Sequence, residues 1–419
     1  MRLFAFGSNG SGQLGIGHQE DVSHPTQCLF EKPKKQETEP RQTTQDLNDE
    51  IIHIAAGGNH TLLLTKSGAV YAAGCNTDGR CGPHQEDEIL AFRRLILSDT
   101  IPGSEIEFKH VSATWEGSIL VSAQTEGDKV FILGSNPKGE LGLAANAPIS
   151  PGTSIPDFPP DGTRITALAS GMAHSAAVLS NGDVYGWGAA RKGQLGVGNI
   201  VARVACAPVK IDVPFFAESV VCGREFTVVS GKGNFIVLGD PGNRWGVLRV
   251  PSLLSLDGDQ VEDLRDGEGC AGSRGFVRYP YTGIGASWHG IYVHAAPGLE
   301  LVSDLGEPAS SHPQVEDTGS ASGSGFLIAW GRNDRGQLPP STLPTPTVLA
   351  VGSEHVLALL GDGQVAAFGW GEHGNCGPDT DPQGNVSGTY NVLSLPETVT
   401  DGKVVGIGAG CATSWMIVT

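Results

Sequence analysis

Charged residues are scarce in this chain, at 17% of 419 positions, and aromatic residues make up only 6%. Disorder needs low hydrophobicity and dense charge. With 39% hydrophobic residues, a mostly disordered chain is excluded. No stretch reaches 18 uninterrupted apolar residues, and the opening Met1-Arg-Leu-Phe-Ala-Phe-Gly7 is too short for a signal peptide. A membrane role is therefore not expected. The eight cysteines include no Cys-x-x-Cys pair, and none has zinc-finger spacing to a histidine. These absences point to a soluble protein of a reducing compartment, the cytoplasm, with the nucleus as a second location. Excess positive charge is missing as well. At a formal net charge of -18 the chain is a poor general binder of nucleic acid, and no direct DNA binding is expected. The negative charge is uneven: residues 257–268 hold six acids against one base, and 294–325 hold acids and no base.

Glycine is what the chain has in abundance. Gly and Pro together form about a fifth of it, with 60 Gly and 26 Pro. Gly costs about 1 kcal/mol relative to Ala inside a helix, so a helical protein is disfavoured. No Gly-X-Y period exists, which removes collagen. A turn-rich, all-β fold remains.

The glycines are organised by a repeat. Gly7-Ser-Asn-Gly-Ser-Gly-Gln-Leu-Gly15 is echoed at 74–82, 134–142, 188–196 and 369–377. Residues 331–339 keep two of its three glycines, and GDPGNRWGV from Gly239 is a damaged copy. A second block precedes six of the seven copies. Residues 51–71 read as an apolar strand, a Gly-x-x-His turn, a second apolar strand, a Ser-Gly hairpin and a third strand. Related blocks start near Val111, Ile165, Val220, Ile284, Val348 and Val404. Four strands in a repeat of roughly 50 residues select a β-propeller, here with seven blades. Pro-flanked strands after the signatures, such as Pro208–Val213 and Pro346–Leu349, are expected to be the outermost of each blade. The C-terminal block lacks outer strands and the N-terminal segment lacks inner ones, so pairing them should close the ring. The whole chain, 1–419, is expected to form this one propeller, with insertions at 31–50, 143–162, 248–283 and 294–325.

Two glycine runs, 10–15 and 369–374, match Gly-x-Gly-x-x-Gly. A dinucleotide site needs that motif between a strand and a helix, which this repeat does not provide. Gly7, Gly12, Gly15 and their counterparts are better read as positions of positive φ or close backbone approach. The His of Gly-x-x-His is read at His60, His174, His289 and His355, with Gly117, Phe226 and Thr413 in the other blades. A catalytic histidine would occur once, beside an orienting acid. A repeated one is structural, and is expected to bond the backbone of its own or the next blade. Cys81 and Cys376 occupy the Leu position of the signature and read as small buried hydrophobes. No catalytic, cofactor or metal motif emerges, so no enzyme activity and no cofactor are expected.

In a four-stranded meander, the turns after strands one and three open on the same face. Around the ring that face collects Arg80, Lys138, Arg191, Lys192, Arg244 and Arg335 from the signatures, and Arg224 from a first turn. Trp115, Trp245 and Trp288 join them. Acids are present too (Asp78, Glu116, Glu225, Asp334, Glu354, Glu372), so the face is mixed but far more basic than the chain average. It is either a solvated rim or a docking surface, since Arg and Trp dominate interface energetics.

Gly-x-Asn-x-x-Gly-Gln-Leu-Gly together with Gly-x-x-His-Thr-Leu resembles the regulator-of-chromosome-condensation repeat family, over nearly the whole chain. The segment FAFGSNGSGQLGIGHQEDVSHP from Phe4 is similar to the alpha-tubulin-suppressor, or killer-toxin-insensitive, branch of fungal free-standing propellers. The resemblance implies docking of a small acidic metal-binding protein of diphthamide synthesis, with the metal belonging to that partner. It also implies a role in Elongator-dependent wobble-uridine modification of transfer RNA. The alternative, by analogy with the family's founding member, is a guanine-nucleotide exchange factor for a small GTPase. No clear wedge for that activity is visible, and no basic leader for chromatin tethering. A ubiquitin-ligase scaffold would normally carry a catalytic domain as well.

Overall fold

The computed structural model describes residues 1–32, 42–97, 105–124, 127–144, 147–251, 277–278, 281–295 and 326–419. Seven sheets stand around one axis, antiparallel throughout except for one parallel pairing, of Phe30 with Phe92. Blade 1 is built from both ends of the chain, in the order Val22–Gln27, Arg2–Gly7, Thr413–Val418, Val404–Ala409 from rim to axis. Blades 2, 3 and 4 begin with the inner strands Ile51–Ala56, Phe108–Ala113 and Ile165–Ser170. Blades 5, 6 and 7 begin with Ser219–Cys222, Tyr281–Ala286 and Val348–Val351. Each inner strand contacts the next, and Val404–Ala409 contacts Ile51–Ala56, so the ring is closed. The closure is a continuous ladder in which Arg2 pairs with Val418 and Gly7 with Thr413.

The second strand of each blade is covered on both faces by neighbouring blades. Such strands read as continuous apolar runs rather than alternating ones. His60–Thr65 (HTLLLT), His174–Leu179 (HSAAVL) and Thr413–Val418 (TSWMIV) are buried at every position. Buried Trp187, Trp330 and Trp415 are the largest side chains between blades.

The rim departs from expectation. Val204–Ile211 is the outermost strand of blade 4, with Pro208 inside an irregularity of its ladder where a missing N–H is tolerated. The strand following Pro346, however, is Val348–Val351, which pairs with His355–Leu359 as the innermost strand of blade 7. Blade 6 has no fourth strand among the described residues.

Of the 31–50 segment, 33–41 lies outside the described residues. Phe30–Glu31 and Thr43–Thr44 extend blade 2 to six strands, and Arg93 grips Glu31 at 2.8 and 2.9 Å. Residues 143–162, apart from 145–146, are built into blade 3. Ile155 donates its N–H to Val130, and Phe158 packs against Trp187. Of 248–283, Val277–Arg278 pairs with Asn234–Phe235, while 252–276 and 279–280 lie outside the described residues. Nearly all of 294–325 lies outside them too; it joins the second and third strands of blade 6.

Candidate interaction face

The nine-residue signature is a mechanical device. Its third residue, Asn, accepts the N–H of the eighth: Asn9 from Leu14, Asn76 from Cys81, Asn136 from Leu141 and Asn333 from Leu338, all at 2.9–3.0 Å. Its seventh residue, Gln or Glu, accepts the N–H of the fifth. Gln194 takes Lys192 at 2.8 Å, Gln337 takes Arg335 at 2.9 Å and Glu140 takes Lys138 at 2.5 Å. The fifth residue is thereby pinned by its backbone while its side chain projects outward. In the six intact signatures the glycines at the first, sixth and ninth positions all have positive φ, whereas Gly239, which opens the damaged copy, does not. Gly188 illustrates the need: a Cβ there would lie 2.5 Å from the carbonyl oxygen of Ala173.

Three histidines tie neighbouring blades. His60 donates through Nε2 to Ser118 Oγ (2.9 Å), His174 to Thr227 Oγ1 (3.0 Å) and His355 to Ser414 Oγ (2.9 Å). Each hydroxyl on the next blade then donates back to a signature carbonyl, of Arg80, Gln194 or Asn375, at 2.7–2.8 Å. That spent hydroxyl proton makes Nε2 the donor. Burial, the first cause in each case, pulls the three imidazoles down to about 3, 4 and 4. The partner is thus a side-chain hydroxyl of the next blade, where a backbone partner was expected. Cys81 and Cys376 are fully buried, and burial pushes both thiols up.

His289 is not a member of this set. Gly290 pairs with Gly331 as His60 pairs with Gly74, so Gly290 holds the structural position and His289 precedes it. Sequence spacing misplaced it because Ser287-Trp288-His289 has no glycine to mark the turn. Blade 6 compensates with Tyr292, whose hydroxyl donates to the Gln337 carbonyl at 2.7 Å. His289 is left on the face.

First turns and signature loops do share one face, and backbone bonds link several neighbouring first turns around the axis. Gly58 N–H donates to Trp115 O, Trp115 to Met172, Arg224 to Trp288 and Trp288 to Ser353, at 2.9–3.1 Å. Trp115 of blade 3 and Trp288 of blade 6 meet across the axis, with ring centroids 5.7 Å apart at 44°. Because blades 3 and 6 are not neighbours, this contact spans the axis on that face. Arg224 lies over Trp288 at 5.4 Å. Trp245 lies between Arg244 (4.5 Å) and Arg332 (4.9 Å), with the His289 ring 6.1 Å away. Arg335 covers Trp370 at 5.1 Å.

The basic residues divide into two kinds. Arg80 is a correction: it stands in the Gln position of its signature, points inward and is only 7% exposed. Asp78 holds it through two bonds of 2.7 Å and itself accepts from Ser135 at 2.5 Å. Lys192 reaches the open face but is paired with Asp240 at 3.1 Å. Among the described residues no carboxylate pairs with Lys138, Arg191, Arg224, Arg244 or Arg335. Arg332 was missed because the second signature position varies freely from copy to copy. It bridges Asp334 (2.6 and 3.0 Å) and the buried Glu354 (2.9 Å), which also accepts from Gln337 at 2.7 Å. His289 is lowered to about 4, first by burial and then by Arg332, Arg224 and Arg244. Among the described residues no group of three or more His, Cys, Asp or Glu could hold a metal ion.

Models of the regulator of chromosome condensation (RCC1) repeat match residues 2–64 and 181–230 in one form, and 51–80 and 165–194 in another. An RCC1 repeat-containing protein of Schizosaccharomyces pombe, C10F6.04, is 27% identical over 99% of this chain and 98% of its own. The secretion-regulating guanine nucleotide exchange factor of Mus musculus is 27% identical over 97% of this chain and 82% of its own. Among solved structures, human WBSCR16 matches with a TM-score of 0.65 at 18% identity, covering all of both chains. Prp20p of Saccharomyces cerevisiae, described with its binding properties to Gsp1p and histones, matches with a TM-score of 0.65 at 19% identity. It covers 99% of this chain and 90% of its own. At such identities these two structures speak for the propeller alone.

Proposed function

We propose that this chain, a member of the regulator of chromosome condensation repeat family, is a non-catalytic docking protein whose signature-loop face binds an acidic protein partner. The observation that carries this reading is the set of arginines stacked on half-buried tryptophans beside the Trp115–Trp288 contact across the axis. Stacking holds the Arg224 and Arg244 guanidinium groups in place, and neither is spent on a carboxylate among the described residues, which favours recognition of a partner's carboxylates. A basic patch on an acidic protein also steers an acidic partner and repels the wrong ones.

The specific partner we propose is a small, acidic, metal-binding protein of diphthamide synthesis. Through it the propeller would support diphthamide formation and Elongator-dependent wobble-uridine modification, in the cytoplasm and, secondarily, the nucleus. The similarity of blade 1 to free-standing fungal propellers supports this choice. Titration calorimetry of the full chain with that metalloprotein should give salt-sensitive binding, and deletion of the gene should lower both modifications. Unchanged modification levels with no measurable binding would defeat the reading.

A second reading is favoured by one observation, the near full-length similarity to a protein named as a secretion-regulating exchange factor. Accelerated nucleotide release from a small GTPase by the purified chain would favour it over the first.

A further inference from the structure

Arg224, Arg244, Trp245, Trp288, His289 and Arg332 form a single cluster on blades 5 and 6. Arg332 has its charge engaged by Asp334 and Glu354, so it acts as a fixed wall for the Trp245 ring. Arg224 and Arg244 have no carboxylate partner among the described residues, yet each is held against a ring, at 5.4 and 4.5 Å. Ordering a side chain before binding reduces the rotamer entropy lost on docking. Between these two guanidinium groups lie the half-buried faces of Trp245 and Trp288, and the Trp115–Trp288 pair gives the axis side an apolar floor. Elsewhere on the face Arg80 and Lys192 are internally neutralised and Lys138 and Arg191 stand without a ring contact, while Arg335 lies over one ring, Trp370, at 5.1 Å as an isolated pair.

We infer that this cluster is a preformed seat for an acidic segment of a partner protein in which carboxylates flank an apolar side chain. The inference rests on the docking function proposed above and narrows it to two of the seven blades. Single-stranded nucleic acid could also use rings and guanidinium groups for stacking. The seat is a poor match for a phosphate chain, because exposed Asp334 and half-buried Glu225 share its loops and the chain carries -18 overall. A short protein segment that brings its own carboxylates to Arg224 and Arg244 avoids both acids.

The test is fluorescence anisotropy of the full chain with a labelled peptide alternating Asp and Glu with Leu. A lysine-for-acid peptide and an oligouridylate of equal length serve as comparison probes. The acidic peptide should bind at low salt and weaken as salt screens the charges. The R224E/R244E pair should weaken it by at least about tenfold, and Trp245→Ala by a similar factor. K138E/R191E, on the same face, should cost less than about threefold, and K66E/K210E on the opposite face should change nothing. R224Q/R244Q, checked for an unchanged thermal midpoint, guards against a folding artefact. Equal losses from both pairs on the face, or no loss from Trp245→Ala, would overturn the seat while leaving the docking function standing. Preferential binding of oligouridylate would overturn the seat in favour of nucleic acid. An acidic peptide that does not bind at low salt overturns the seat; the docking function falls separately if the metalloprotein also fails to bind.

Discussion

Blades 2 and 4 and blades 5 and 6 come from one repeat and treat the same positions in opposite ways. In blades 2 and 4 a histidine, a neighbouring hydroxyl and a signature carbonyl form a buried relay, and the cations Arg80 and Lys192 are paired internally. In blades 5 and 6 the relay histidine is replaced by Phe226 and Gly290, the signature of blade 5 is damaged, and cations lie against half-buried rings. The difference teaches that regularity and function separate along the ring. Where the repeat is intact its polar groups hold blades together, and where it decays the freed side chains reach solvent.

Acid should break the comparison most forcefully. His60, His174 and His355 have folded values of about 3 to 4 against an ordinary 6.5, so the unfolded chain takes up protons first as pH falls. Stability is full above 6.5, declines below it by about 1.4 kcal/mol per pH unit for each histidine, and levels off near 4 for His174 and His355 and near 3 for His60. Denaturant melts across that window should show the slope, and His174→Phe, which copies the residue of blade 5, should remove one histidine's share. A flat profile would contradict the neutral relay. Next in size, Arg80→Ala strands Asp78 in a half-buried site and should cost about 3 kcal/mol by urea unfolding. Tyr292→Phe leaves the Gln337 carbonyl without its donor and should cost about 1–2 kcal/mol, measured the same way. Arg244→Ala, on an exposed cation of the proposed seat, should cost less than about 0.5 kcal/mol in stability. Were Arg80→Ala and Arg244→Ala equally mild, the division into internal and outward cations would fail.

Much of the fold was legible because glycine and asparagine at these spacings have few conformational uses. The blade number, the closure by both termini and the shared face of the two turn types followed from that pattern. The misreadings have specific physical causes. Arg80 looked like its basic neighbours, but the seventh signature position turns inward to cap the loop, so its charge was spent on Asp78. His289 was placed one residue off because the turn of blade 6 has Ser287 where five of the other six blades have glycine. The strand after Pro346 was assigned to a rim because proline tolerates edges, and an inner strand facing the channel is also an edge.

The sequence alone determined the scaffold: seven copies and their glycine corners, which depend on local backbone geometry. Only the tertiary structure decided which cations are spent and which are available. That outcome depends on distances between residues far apart in the chain, as in Arg224 over Trp288 at 5.4 Å and Trp115 meeting Trp288 across the axis at 5.7 Å. Local pattern sets the direction in which a loop opens. Whether its arginine meets a carboxylate or a tryptophan is settled by the neighbouring blade.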